Sequence, residues 1–230
     1  MIEEKRDYFE KIKLDFLKVS TTDYRFGSIG DGGYYLSPYS ILQADILFSG
    51  GISSNVEFEY DMFRFNKNLK IFMVDPTVSK TKLLMKSVLR IILLKTDKIR
   101  YLFNTFIFVY LTRSNRCWHI KKWLSDENSI FDCIKMKINE FNNSKIILKL
   151  DIEGSEYHLL DEITANMNLF NAMIFEFHDL DKKHQLLYDF IAKCDPYFDL
   201  INLEINPSGG FDKSNRPKNV EISLERKRQV

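Results

Sequence analysis

The chain reads as an α/β protein, a three-layer sandwich around a mostly parallel sheet with an antiparallel edge strand. Three observations predict this. Apolar runs end abruptly in acids at Ile71-Phe72-Met73-Val74-Asp75 and Ile146-Ile147-Leu148-Lys149-Leu150-Asp151, and a third closes as Ala172-Met173-Ile174-Phe175-Glu176-Phe177-His178. Segments with helical apolar spacing alternate with those runs, the pattern of a parallel sheet covered on both faces. The last two runs, Tyr197 to Ile205 and Val220 to Arg226, have no helix between them, so they are expected to pair antiparallel at the edge. In an open sheet of this kind the ligand crevice lies beyond the carboxyl ends of the strands, where these acids fall.

At 230 residues and 45% hydrophobic content the chain can bury a substantial core, most economically as one domain spanning 1–230. Thirty-three basic residues against 32 acidic ones leave a charge of +1, so general nucleic-acid binding is not expected. Cys117, Cys133 and Cys194 are odd in number and lack the spacing of a zinc site or redox pair, which fits a reducing cytoplasm. The densely charged start, Met1 to Asp7, does not read as a secretory signal, and no integral membrane segment is expected.

From the amino terminus, an amphipathic helix is expected over about 3–19, with Tyr8, Ile12 and Phe16 in one stripe and Phe9 and Leu17 widening it, lying over the sheet. Arg25-Phe26-Gly27 followed by Asp31-Gly32-Gly33-Tyr34 reads as a hairpin turn that also permits close approach to a ligand. Ala44 to Phe48 is a buried strand, Ser49-Gly50-Gly51 a small-residue loop, and Val56 to about Phe65 a helix. Asp75 then ends the next strand about 20 residues beyond the glycines, the spacing at which a βαβ nucleotide fold sets an acid against ribose hydroxyls. The loop has no GxGxxG, and Asp75 is what turns the reading from a plain tight turn to a cofactor loop.

A basic and apolar insertion over about 79–116 reads as two helices forming a cap, with Lys80, Lys82, Lys86, Arg90 and Lys95 among long apolar side chains. Packing against the sheet is its expected role; a dimer face, a membrane-surface contact or a basic lip for an anionic substrate are the alternatives. Beyond the central motif, Tyr157 to Ala165 and Asp181 to Lys193 are helical, the latter with Leu186, Leu187, Phe190 and Ile191 inward. The turn-rich Asn206 to Pro217 borders the crevice.

Taken alone, these residues support a nucleoside-bearing cofactor near several carboxylates. Together they resemble the FkbM-like family of S-adenosylmethionine-dependent methyltransferases. The resemblance rests on Lys149-Leu150-Asp151-Ile152-Glu153-Gly154-Ser155-Glu156, on Phe175-Glu176-Phe177-His178, and on Phe48-Ser49-Gly50-Gly51-Ile52 followed by Val74-Asp75-Pro76-Thr77. Arg25-Phe26-Gly27 with Asp31-Gly32-Gly33-Tyr34 is similar to the entry segment of a subgroup. The chain departs from many class I methyltransferases at Phe48-Ser49-Gly50-Gly51, where they carry an acid and a GxG.

The resemblance implies a class I Rossmann-like fold and O-methylation, often of sugars or polyketides. S-adenosylmethionine would meet Asp75 at its ribose and Ser49, Gly50 and Gly51 at its methionine end, with Asp151 near the sulfonium. A hydroxyl acceptor needs a base, for which His178 is the first candidate and Asp151 the second. Arg25, Asp31, Tyr34, Glu153 and Glu176 are the expected acceptor contacts, while Glu156 reads as a cap or loop-stabilising acid. A small-molecule acceptor such as a nucleotide-activated sugar for surface polysaccharide would let the insertion's cations meet its diphosphate. No metal is expected, because a metal-free base is simpler. The alternatives are a magnesium or manganese site at Asp151, Glu153, Glu176 and His178, and a non-catalytic cofactor- or sugar-binding module.

Overall fold

The computed structural model describes residues 8–18, 24–29, 32–125, 127–213 and 216–228; Asp31 lies outside them. The chain opens with α1 (Tyr8–Phe16), β1 (Tyr24–Gly27), β2 (Gly33–Leu36) and α2 (Pro38–Leu42), the last started by Ser37, whose Oγ accepts the Ser40 N–H. It then alternates through β3 (Ile46–Gly50), α3 (Glu57–Phe65), β4 (Lys70–Val74), α4 (Lys80–Ile92), α5 (Lys98–Arg113), β5 (Cys117–Ile120), α6 (Ile130–Lys135) and β6 (Ile146–Leu150). A turn of 3-10 helix (Glu156–Leu159) leads into α7 (Leu160–Ala165), followed by β7 (Phe170–Phe177), α8 (Leu180–Cys194), β8 (Phe198–Ile205) and β9 (Val220–Arg226).

The seven main strands form one sheet in the order β5-β4-β3-β6-β7-β9-β8, and β1 and β2 make the expected separate hairpin. β5, β4, β3, β6 and β7 are mutually parallel, while β9 runs antiparallel to both β7 and β8. The antiparallel pair forms the edge of the sheet as the sequence predicts. The reversed strand itself lies one place in, because β9 slots between β7 and β8. This is the Rossmann-like order with a returning last strand, the fold expected of a class I methyltransferase.

Period-two alternation divides the strand residues between two cores. Phe48, Phe72, Leu148 and Phe175 face one core, beneath α6, α7 and α8; Leu47, Ile71, Ile147 and Ile174 face the other, beneath α2, α3 and α5. α1 packs against both α8 and the outer strand β8: Phe16 meets Tyr188 edge-on at 5.3 Å, and the Lys18 N–H bonds the Leu200 carbonyl of β8. On α8 the buried stripe is Leu187, Phe190, Ile191 and Cys194 at i, i+3, i+4 and i+7. Leu186 falls one position off that stripe and is exposed, against the expectation that it points inward.

The two helices expected between β4 and β5 are present and behave differently. α5 buries Ile107, Phe108 and Leu111 and serves as the crossover from β4 to β5, whereas α4 buries only Leu83 and Ser87. Packing against the sheet therefore describes α5 and does not describe α4.

Candidate active site

The direction of the connections reverses between β3 and β6, and a crevice opens where their carboxyl ends diverge. A cavity of about 310 Å³ occupies it, lined by Gly51 and Ser53 after β3, Asp75 and Thr77 after β4, Trp123 after β5, and Asp151 and Glu153 after β6. That volume lies within the range of small-molecule sites.

Gly51 makes this convergence sterically possible. Its φ is +72°, and a Cβ there would fall 1.6 Å from the Asp151 carbonyl oxygen, so no other residue fits without moving β6 away. The Gly51 N–H bonds the Val74 carbonyl and the Asp151 N–H bonds that of Gly50, which ties the three strand ends together. Gly50 is buried under Leu124 and Leu150, and Ser49 is fully buried, its Oγ donating to Glu59 Oε1 at 2.5 Å. Of the three expected loop residues, Gly51 reaches the cavity wall; Ser49 and Gly50 shape the loop from beneath.

Asp75 is buried at the cavity wall with its carboxylate already organised. Oδ2 accepts the Ser53 N–H at 2.9 Å, while Oδ1 accepts the Thr77 N–H at 2.7 Å and the Thr77 hydroxyl at 2.6 Å. Three donors fix its orientation and leave lone pairs for a ligand.

Asp151 stands across the crevice. The buried Lys149 sits 3.7 Å from its Oδ2 and donates to the Gly51 carbonyl at 2.6 Å, so one cation joins the β6 acid to the β3 loop. A lysine inside the run Ile146-Ile147-Leu148-Lys149-Leu150, every residue of which is buried, is the sequence signal for this role. Beneath it, burial pushes the Glu59 carboxyl up, an effect partly offset by Lys149 and Ser49.

The following turn runs through two left-handed residues, Glu153 at φ 55° and Gly154 at φ 95°, a conformation in which the non-glycine residue is strained. Glu156 stabilises it: its fully buried Oε1 accepts the N–H groups of Ile152 at 2.9 Å and Gly154 at 3.3 Å. This is the loop-stabilising role expected of it. The same oxygen also lies 3.0 Å from His178 Nδ1, an additional role that the sequence did not show.

With Nδ1 held, His178 Nε2 faces Glu176 at 3.4 Å, Glu153 at 3.7 Å and Asp151 at 4.0 Å. Burial pulls the imidazole's pKa down, but the hydrogen bond and charge of Glu156, with Glu176 and Asp151, outweigh it and push the value up to about 9. His178 does not line the cavity itself; it meets the cavity through Asp151 and Glu153. Asp151, Glu153 and His178 each offer one ligand atom, and these lie within 4.8 Å of one another.

The expected acceptor residues fall around this cluster. Glu176 Oε1 accepts from Asn206 Nδ2 at 2.9 Å and Asn219 Nδ2 at 3.1 Å, so the Asn206 to Pro217 loop does border the site. Glu176, Glu221 and Glu204 lie side by side across β7, β9 and β8. Burial first, then repulsion from Glu176, raises the Glu221 pKa to about 8, while Arg25, paired with Glu204 at 3.4 Å, opposes the shift. Tyr34 is buried edge-on to Phe58, and its hydroxyl is held well above the usual phenol range by burial and by Asp151 and Glu221. Arg25, Tyr34 and Glu176 thus surround the acid cluster without lining the cavity.

Glu221 and Trp123 escape sequence reading for different reasons. Val220-Glu221-Ile222-Ser223-Leu224 alternates like a half-exposed strand, yet all five residues are buried. Trp123 follows a strand of only four residues, too short to stand out beside the insertion.

No family model matches the sequence, and no curated protein matches it. Among solved structures the chain is similar to a putative rRNA-methylase from Clostridium thermocellum (10% identity, TM-score 0.43, covering 96% of this chain and 94% of that one). It is also similar to precorrin-6y C5,15-methyltransferase from Geobacter metallireducens (11%, 0.42, 83% and 86%) and to the fibrillarin pre-rRNA processing protein of Methanococcus jannaschii (10%, 0.40, 92% and 86%). Identities and TM-scores this low add no chemistry to the site. The strand order, the reversed β9 and the crevice between β3 and β6 give this chain the Rossmann-like methyltransferase fold.

Proposed function

We propose that the protein is an S-adenosylmethionine-dependent O-methyltransferase acting as a single domain in the cytoplasm on a sugar hydroxyl. The observation that carries this reading is the crevice itself, which sets an organised carboxylate, Asp75, across from an acid-and-imidazole cluster. Asp75 would hold the ribose hydroxyls, the Gly51 backbone would border the methionine end, and Trp123 offers a flat apolar face for the adenine. Bound there, S-adenosylmethionine would supply a sulfonium-activated methyl group for an acceptor hydroxyl. Asp151, held in position by Lys149, would set negative charge beside that cation.

The acceptor hydroxyl must lose its proton, and His178 Nε2 is the group to take it, with Glu156 fixing the ring through Nδ1 and Asp151 as the second candidate. A ring with a pKa of about 9 is protonated at neutral pH, so turnover should rise with pH as that proton leaves. Glu176, Asn206 and Asn219 supply hydrogen-bonding groups suited to a hydroxyl-rich acceptor, with Glu153 and Tyr34 beside them. The diphosphate of a nucleotide-activated sugar would lie toward the cations bordering the site, Lys122 on the cavity wall and Arg25 on the hairpin.

A second reading has its own observation. The three ligand atoms of Asp151, Glu153 and His178, with the other imidazole nitrogen held by Glu156, match how proteins orient a metal-binding histidine. Magnesium or manganese there would replace the Nε2 proton and make turnover dependent on metal.

Incubation with S-adenosylmethionine and a panel of nucleotide-activated sugars, read by mass gain with and without chelator, tests both readings. Gain of one methyl regardless of chelator supports the first, and gain abolished by chelator and restored by manganese supports the second. Cofactor binding without methylation of any hydroxylated acceptor would favour a binding module.

A further inference from the structure

An ordinary surface helix turns its apolar side inward, and α4 does the opposite. Its inner face is Leu83 and Ser87, the latter bonded through Oγ to the Leu83 carbonyl at 2.9 Å and to Thr105 Oγ1 of α5 at 2.8 Å. At 100° per residue, Leu84, Met85, Val88, Leu89 and Ile92 form one contiguous arc on the opposite side. All five are 46–69% exposed. The next two residues, Leu93 and Leu94, are also exposed, and Leu94 takes a left-handed φ of 50° where the helix ends. An apolar face this continuous marks an interaction surface.

Charge identifies what covers it. Lys82 and Lys86 flank the arc along one edge, Lys80 and Lys95 stand near its ends, and no acidic residue occurs between Lys80 and Thr96. Arg90 is already committed to Asp97 and to the Tyr101 ring. Against a second copy of the chain, a symmetric contact would bring these lysines together with no acid on the helix to pair them. At 13 residues, α4 is also too short to span a bilayer.

We propose that α4 docks the protein in plane on an anionic lipid surface, with Met85, Val88, Leu89 and Ile92 entering the acyl boundary and Lys82 and Lys86 meeting headgroup phosphates. The inference is independent of the methyltransferase reading.

Cosedimentation of the full chain with vesicles tests it, using phosphatidylcholine alone and phosphatidylcholine mixed with phosphatidylglycerol. The protein should pellet with the mixed vesicles only, and less so in high salt. Lys82→Gln with Lys86→Gln should weaken partitioning roughly 30-fold, at about 1 kcal/mol for each lysine. Met85→Glu with Ile92→Glu should abolish it while circular dichroism stays unchanged, because both positions are exposed. Three outcomes would overturn the proposal: no pelleting with anionic vesicles, equal pelleting with neutral ones, or a dimer in light scattering that Met85→Glu disperses.

Discussion

The two walls of the β3–β6 crevice use carboxylates in opposite ways. Asp75 is donor-rich: two N–H groups and a hydroxyl converge on one carboxylate. Around His178 the balance is inverted, with four carboxylates, Glu156, Glu176, Glu153 and Asp151, facing one imidazole. A carboxylate fixed by neutral donors is preorganised to accept further neutral donors such as a diol. A cluster with more acid than donor favours whatever positive charge enters it, whether a proton, a sulfonium or a metal ion. On the proposed reading, Asp75 recognises the cofactor's ribose and His178 activates the acceptor, so each should be disturbed without the other.

The largest effect should come from the acid-rich wall. His178→Ala is expected to lower turnover roughly 100- to 10,000-fold at saturating acceptor, with cofactor affinity retained. In the unaltered protein, turnover should climb with pH toward about 9, and the variant should lose that dependence. Asp151→Asn keeps shape and removes charge, so steady-state rates should fall roughly 100- to 1,000-fold while the melting temperature changes little. A variant that melts early yet turns over normally would make Asp151 a structural acid.

Glu156→Gln sharpens the comparison, because Glu156 acts through His178. Removing its charge should move the midpoint of the pH–rate profile downward from about 9 toward the ordinary histidine value. A purely loop-stabilising Glu156 would lower the melting temperature and leave that midpoint in place.

The smallest effect concerns stability. His178 holds its proton more tightly when folded, so its contribution is complete below its ordinary pKa of 6.5 and is lost as pH rises through about 9. Glu221 is held neutral up to about 8, so its penalty grows as pH rises from about 4.5 to that value. Both make the protein less stable from about pH 6.5 to 8, and above that only His178 continues the decline, up to about 9. Glu221→Gln removes the second contribution and should flatten the decline in Tm by a few degrees, roughly.

The sheet was legible because each parallel strand carries its own apolar run and ends in a polar residue, as at Asp75 and Asp151. β5 was not, since Cys117 to Ile120 is short and holds two polar-edged aromatics, Trp118 and His119, that only the folded sheet packs. The positions of Asp75, Asp151 and His178 followed from strand ends and motif spacing. Their partners did not, because Glu156 meets His178 across 22 residues and Glu221 meets Glu176 only when β9 inserts beside β7. The outward apolar face of α4 is hidden in the sequence for a related reason: its composition is that of any amphipathic helix, and which face turns inward is settled by tertiary packing.

The separation of the two walls is tested most directly by calorimetric titration of S-adenosylhomocysteine, the demethylated cofactor, into the unaltered protein, Asp75→Ala and His178→Ala. Asp75→Ala should weaken binding roughly 10- to 100-fold, the cost of about 1.5–3 kcal/mol for hydrogen bonds to a charged group, while His178→Ala binds as the unaltered protein does. Equal affinity in a folded Asp75→Ala protein, or a comparable loss in His178→Ala, would contradict the assignment.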